Sequence, residues 1–345
     1  MTEDDPPRRP AADARVLAVR LSALGDVVFA MPAVTALRSL VPNGRLDWLT
    51  EDRHAALLDG FPGLDEVISF PRRRWGRRGG LRALARHLRD LRRRRYDWVL
   101  DFQGNLKSVL QLLPLRRAVR VGFDRPAARE GSWRFLDLRV PDPGRVSRVE
   151  RDLALVRVLG WQGPAPTPGR WPVRADPPPP ADGPRILLHT TVTDYGRDKE
   201  WPRTHWLELI GRLGDRGLRS ELLWTEDRLP IVRDLAEASR GLARLAPPTP
   251  TLADLMALCD SAAVLVGTDS GPLHLAAIRG TAVVGLYGPT DPVRYAPPGP
   301  RTRILTALEP DQPPPPRDRS RRSPWMDALS ADRVAAAVDE LLDLS

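Results

Sequence analysis

The chain has 345 residues, 42% of them apolar and 28% charged, with a formal net charge of +9 and one cysteine. That length fits about two globular domains, and the composition excludes a collagen-like, low-complexity or disulfide-stapled protein. No apolar run nears the ~18 residues of a membrane span, and residues 1–14 lack the apolar core of a secretory signal.

Residues 1–14 read as a disordered lead-in, proline-rich with mixed charge. Residues 15–21 (RVLAVRL) then form an apolar strand, 22–26 a turn, and 27–40 a helix that contains Pro32. Further strands are expected at 45–50, 67–70 and 98–102, with helical patterns between them and a helix at 151–159. Strands alternating with helices predict βαβ units and a parallel sheet, so 15–162 is read as a first Rossmann-like domain. Residues 163–184 are dense in proline, which marks an extended linker. The pattern restarts at 185–189 (strand), 204–216 (helix), 218–224 (strand), 230–239 and 252–259 (helices), giving a second Rossmann-like domain over 185–306. Residues 307–324 are rich in proline and arginine without periodicity and read as a loop. Residues 325–345 close the chain, with an amphipathic helix at 331–342 that Ser330 caps. The fold class is therefore α/β, with two parallel sheets expected to face a central cleft.

The basic charge is local. Twelve arginines and one acid lie between Arg72 and Arg95, a formal +11 that leaves −2 for the rest of the chain. Leu81, Leu84, Ala85, Leu88 and Leu91 fall at helical spacing there, so 81–95 reads as an amphipathic helix with an arginine face. Such a face is either simply solvated or a docking patch for phosphates and an anionic membrane surface. The same charge leaves a nucleic-acid-binding protein as a reading from another class. Against it, no aromatics interleave with the arginines and no RNA-binding signature is present. Of the 53 basic residues only Lys107 and Lys199 are lysine, so a compact ammonium at those two places draws attention. Cys259 reads as a small buried hydrophobe.

Three stretches carry candidate chemistry. The most informative is 262–292 (AAVLVGTDSGPLHLAAIRGTAVVGLYGPTDP), a strand, a small-residue turn, a helix with Pro272 in its first turn, and a second buried strand. A turn that opens a helix offers unpaired N–H groups and the positive end of the helix dipole, which suits a phosphate. Asp269, Ser270, Gly271 and His274 stand at that mouth. In the stretch from His189 to Pro202, a strand runs into the hydroxyls of Thr191 and Thr193, then Lys199 and Trp201-Pro202; hydroxyls and one ammonium suit a diphosphate. In 21–27, Asp26 begins a helix at a sheet's carboxyl edge, either as a capping aspartate or as a general base. The stretch 101–107 (DFQGNLK) adds Gln103 and Lys107 at another strand end. Neither GxGxxG nor GxxxxGK[ST] is present, which weighs against a dinucleotide enzyme and a P-loop ATPase.

Taken together, LSALGDVV (21–28), FPRRRW (70–75), DFQGNLKS (101–108), AARE (127–130), KEWPRTHWLELIG (199–211), GTDSGPLHLAA (267–277) and YGPTDP (287–292) resemble glycosyltransferase family 9, the ADP-heptose:lipopolysaccharide heptosyltransferases. The AARE, DKEWP and YGPTDP patterns most resemble the heptosyltransferase I branch of that family. The resemblance implies a GT-B fold and an inverting, metal-independent transfer of heptose from ADP-heptose to the Kdo inner core of lipopolysaccharide (Kdo-lipid A). It implies Asp26 as the catalytic base. It implies donor contacts from Thr191 or Thr193, Lys199, Glu226 (with Asp227 as a rival), Asp269, Ser270, Gly271 and His274. It implies acceptor contacts from Arg73 and Arg129, with Gln103 and Lys107 placed beside them. It also gives the Arg72–Arg95 patch a partner, the cytoplasmic face of the inner membrane.

Overall fold

A computed structural model describes residues 9–70, 80–176, 178–179, 183–309 and 312–343. The chain divides into two compact units, residues 1–172 and 173–345. Unit one contains β1 (Arg15–Val19), α1 (Leu24–Leu40), β2 (Arg45–Glu51), α2 (Asp52–Ala55), β3 (Glu66–Phe70), α3 (Gly80–Arg94) and β4 (Trp98–Asp101). It continues with α4 (Leu106–Leu112), β5 (Val119–Phe123), β6 (Leu138–Val140) and α5 (Arg148–Arg157). Unit two contains β7 (Ile186–His189), α6 (Arg203–Asp215), β8 (Ser220–Leu222), α7 (Leu229–Ala238), β9 (Ala243–Leu245) and α8 (Leu252–Asp260). It ends with β10 (Val264–Thr268), α9 (Gly271–Ile278), β11 (Ala282–Tyr287), α10 (Pro292–Tyr295), β12 (Thr302–Thr306), α11 (Pro324–Asp327) and α12 (Ala331–Asp343).

Each unit holds one six-stranded sheet. The orders are β3-β2-β1-β4-β5-β6 and β12-β11-β10-β7-β8-β9, and every pairing is parallel. Counted from the first strand of each unit, both orders are 3-2-1-4-5-6, the doubly wound arrangement. The order in which strands are added reverses between the first and fourth strands, where ligands bind beyond the carboxyl ends.

The central strand runs β1, β7, β10 and β11 are mainly apolar because helices cover both faces. In unit two, Ile186, Leu188, Val264, Val266, Val284 and Leu286 face one side, against Trp201, Trp206 and α12. Leu187, Leu265 and Val283 face the other, against Cys259, Leu273 and Ala276. This is the two-residue alternation of a strand, applied to a sheet with no wet face. Cys259 is fully buried, and that burial pushes its thiol up to about 12, as befits a packing residue.

Elements beyond the sequence expectations are α4, β5, β6, β9, β12 and the short helices α10 and α11. The proline-rich stretch 163–184 is not free along its length. Trp171 tucks into unit one, donating from its indole N–H to the Leu57 carbonyl at 3.0 Å and lying edge-on to Phe61 at 5.1 Å. The arginine helix forms one residue earlier than read, and Arg94 leaves the basic face. Its guanidinium is paired with Glu66 at 2.5 Å and lies 3.7 Å from buried Asp47.

Candidate active site

In unit one the switch point lies between the loops that follow β1 and β4. Asp26 is the third residue of α1. Its Oδ2 accepts the Ala23 N–H at 3.3 Å, so the capping reading is realised. Its Oδ1 is met by two guanidiniums, Arg20 at 2.8 Å and Arg148 at 3.1 Å. Arg20 is 2% exposed and also donates to the Phe102 carbonyl, while the Asp26 side chain keeps 31% exposure. Burial works to raise the Asp26 pKa, but Arg20, Arg148 and the Ala23 N–H outweigh it and hold the carboxyl below the ordinary 3.8. Asp26 is thus an ionised, part-open carboxylate. Its ion pairs contribute stability above pH 3.8, and that contribution is lost as the pH falls through the lowered pKa.

This arrangement predicts a pH effect. Arg148→Gln removes one of the two cations, so the Asp26 pKa should rise. The acid limb of any activity that uses Asp26 as a base should then shift to higher pH than in the parent protein, as pH–rate profiles would show. An unmoved acid limb would mean that Asp26 does not set it.

The loop after β4 is built on Asp101. Its Oδ1 accepts the N–H groups of Gln103 and Gly104 at 3.0 and 3.1 Å, and its Oδ2 the Ser108 hydroxyl at 2.7 Å. The Gln103 side-chain oxygen accepts the N–H groups of Leu21 and Ser22 at 3.0 and 3.1 Å. That oxygen therefore holds the loop leading to Asp26, which leaves only the amide NH2 of Gln103 for an acceptor. Gly104 has φ +66°, a left-handed conformation that favours glycine, and the Ala128 Cα of the next loop lies at contact distance from its Cα side. The Arg129 N–H donates to the Gly104 carbonyl at 2.9 Å, so the AARE stretch sits on the DFQGN turn. The side chains of Arg129 and Lys107 are exposed there, without a side-chain partner among the described residues. Arg73 and the rest of 71–79 lie outside the described residues.

In unit two the switch point lies between the loops after β7 and β10, and it gathers most of the expected donor residues. Lys199 Nζ donates to Asp269 Oδ2 at 2.7 Å and to the Asp269 carbonyl at 2.9 Å. His274 Nε2 meets Asp269 Oδ1 at 2.9 Å. Burial alone would raise the Asp269 pKa, but His274 and Lys199 hold it far below the carboxylate range. His274 is 3% exposed and its ring meets Asp269, so it orients that carboxylate. Ser270 and Gly271 open α9, and no side chain caps the helix because the Ser270 hydroxyl is 3.0 Å from His189 Nδ1. His189 was not singled out by the sequence. Burial pushes its pKa down to about 4, so it is neutral at physiological pH.

Thr191 and Thr193 lie at the same edge, Thr193 exposed and Thr191 half-buried. The buried hydroxyls of Thr190, Thr268 and Thr290 have no partner among the described residues, and all three follow or end strands at this edge. Buried polar groups are nearly always paired, so a water or a polar ligand at this edge would complete the bonding of these three hydroxyls. Glu226 is exposed with no partner among the described residues, whereas its rival Asp227 is engaged by Thr225 at 2.7 Å and Arg228 at 3.3 Å. The described residues include no cluster of three or more His, Cys, Asp or Glu suited to a metal ion, and no helix long and apolar enough to cross a membrane.

Two doubly wound α/β units, each with polar groups at its switch point, define the architecture of a GT-B glycosyltransferase. Residues 84–322 match glycosyltransferase family 9 (heptosyltransferase). Lipopolysaccharide heptosyltransferase 1 of Escherichia coli K12 is 32% identical over 292 residues, covering 81% of this chain and 89% of that protein. The enzyme of the same name from Pseudomonas aeruginosa is 31% identical, covering 81% and 79%. The solved structure of E. coli heptosyltransferase WaaC with ADP superposes with a TM-score of 0.77 at 26% identity, covering 95% of this chain and 99% of that one. The chain belongs to glycosyltransferase family 9 and is a glycosyltransferase.

Proposed function

We propose that the protein transfers L-glycero-D-manno-heptose from ADP-heptose to the Kdo inner core of lipopolysaccharide, with inversion and without a metal, as a heptosyltransferase of the first type. The observation that carries this reading is the Lys199–Asp269 pair beside the uncapped start of α9, with three orphan hydroxyls along the same edge. A diphosphate would find there an ammonium, N–H groups and a helix dipole, and the leaving ADP needs that charge. The likeness to a structure holding ADP supports the same assignment. Asp269 engages the donor sugar in this reading, and Glu226 the ribose. Asp26 takes the proton of the acceptor hydroxyl, with Arg129, Arg73, Lys107 and the Gln103 amide around the anionic acceptor.

The enzyme works at the cytoplasmic face of the inner membrane in this reading, docked by charge. A groove of about 1210 Å³ brings arginines from the end of α3 and from the turn before β5 together, namely Arg89, Arg92, Arg93, Arg95, Arg116 and Arg117. Of these six only Arg93 has a carboxylate partner among the described residues, Asp90 at 3.9 Å. They precede β4 and β5, so they lie at the amino edge of the sheet, away from the Asp26 loop. A surface of that kind attracts anionic lipid phosphates.

The deciding assay is transfer from ADP-heptose to Kdo-lipid A, compared with the same acceptor already carrying one heptose. The expected result is addition of one heptose to the first acceptor and none to the second. Transfer only to the heptosylated acceptor would make the enzyme a heptosyltransferase of the second type. No transfer to either would overturn the substrate assignment.

A further inference from the structure

We infer that Arg317, in the proline- and arginine-rich stretch between β12 and α11, is a positioning residue for the donor site, because it holds the turn that delivers Lys199. The inference rests on the donor-site reading above. Arg317 Nε donates to Asp198 Oδ2 at 2.6 Å and Nη2 to Asp198 Oδ1 at 2.7 Å, a two-pronged grip on the carboxylate. Asp198 is 1% exposed, so its charge depends on that grip; removing one partner of a buried pair strands the other. The same stretch also takes the main chain of Asp198, whose carbonyl accepts the Ser323 N–H at 3.2 Å. Side chain and backbone of one residue are thus tied to a segment 119 positions further on.

The residue so tied immediately precedes Lys199. The 3-10 turn Asp194–Lys199 is fixed on its far side by Trp201, which is buried and donates to the Leu329 carbonyl at 2.9 Å, and more lightly elsewhere. Arg228 meets Asp194 at 2.7 Å, Gly196 closes on Thr193 at 2.8 Å, and Tyr195 is 80% exposed. An anchor needed only for the late segment could have been placed anywhere on the unit. Here it falls beside the lysine whose ammonium reaches Asp269, and Asp269 and Tyr295 are near enough to act on the charge of Arg317. A lysine whose backbone is already fixed loses less freedom when a diphosphate binds, and that difference appears as affinity.

The test compares ADP affinity by calorimetry, and donor and acceptor KM, in the full-length enzyme and in Arg317→Ala. ADP affinity should fall about 10-fold. Donor KM should rise while acceptor KM stays unchanged. Arg317→Lys, which restores one charged bond, should recover part of the loss, as should millimolar guanidinium added to Arg317→Ala. In a Lys199→Ala background, Arg317→Ala should add little, because both changes act on the same ammonium. Should Arg317→Ala not fold by thermal melting, Arg317→Lys and Arg317→Gln carry the comparison. Parent-like ADP affinity in a folded variant, or a loss fully additive with Lys199→Ala, would overturn the inference and leave the donor site standing. If the parent enzyme itself binds no ADP, the donor-site reading falls and takes this inference with it.

Discussion

Asp26→Asn is expected to fold, to bind ADP as the parent does, and to transfer heptose roughly 10²–10⁴-fold more slowly, the usual contribution of a positioned general base. The amide has one oxygen where the carboxylate has two, so its NH2 must face either the Ala23 N–H or the two guanidiniums, and a thermal melt checks that the start of α1 survives. It cannot take a proton at neutral pH, and it no longer neutralises Arg20 and Arg148. Turnover measured at saturating donor and acceptor checks the prediction. A variant within a few-fold of the parent would return Asp26 to the capping role that its bond to Ala23 already shows.

The second large effect is expected at Lys199. Lys199→Ala removes the ammonium that reaches both the carboxylate and the carbonyl of Asp269, leaving a 9%-exposed carboxylate side chain with His274 as its remaining neighbour among those described. Hydrogen bonds to charged groups are worth about 1.5–3 kcal/mol, so ADP affinity should fall about 10- to 150-fold. Calorimetry on the folded variant decides it. Unchanged affinity would mean that Lys199 serves Asp269 and not the diphosphate.

The sequence made the α/β class and both switch-point turns legible, because apolar strand runs, small-residue turns and helix starts are local signals. RVLAVRL, the GTDSGP turn and the two lysines all read at short range. Three of the four missed strands have physical reasons. Leu138–Val140 and Ala243–Leu245 are three-residue edge strands that carry an arginine each, and Thr302–Thr306 is a half-buried edge with Arg303 in it. None offers the run of apolar residues that burial on both faces demands. The partners of the site residues were hidden for another reason. Arg148 reaches Asp26 over 122 positions and Arg317 reaches Asp198 over 119, and no periodicity encodes a contact at that distance. The contact between His274 and Asp269 was hidden too, because a place one turn into a helix says nothing of which way the ring points.

The arginine pair on Asp26 also bears on the timing of bond making and breaking. A carboxylate held below its ordinary proton affinity is a reluctant base, and it gains little by taking a proton from a neutral alcohol. If Asp26 is the base, the acceptor oxygen must already share its electrons with the anomeric carbon before the proton becomes acidic enough to leave. Proton transfer then comes late, departure of the ADP leads, and the sugar passes through a state rich in oxocarbenium character. In such a sequence the rate should respond more steeply to how well the diphosphate is held than to the basicity at residue 26. Donor analogues with poorer leaving groups would measure that dependence directly.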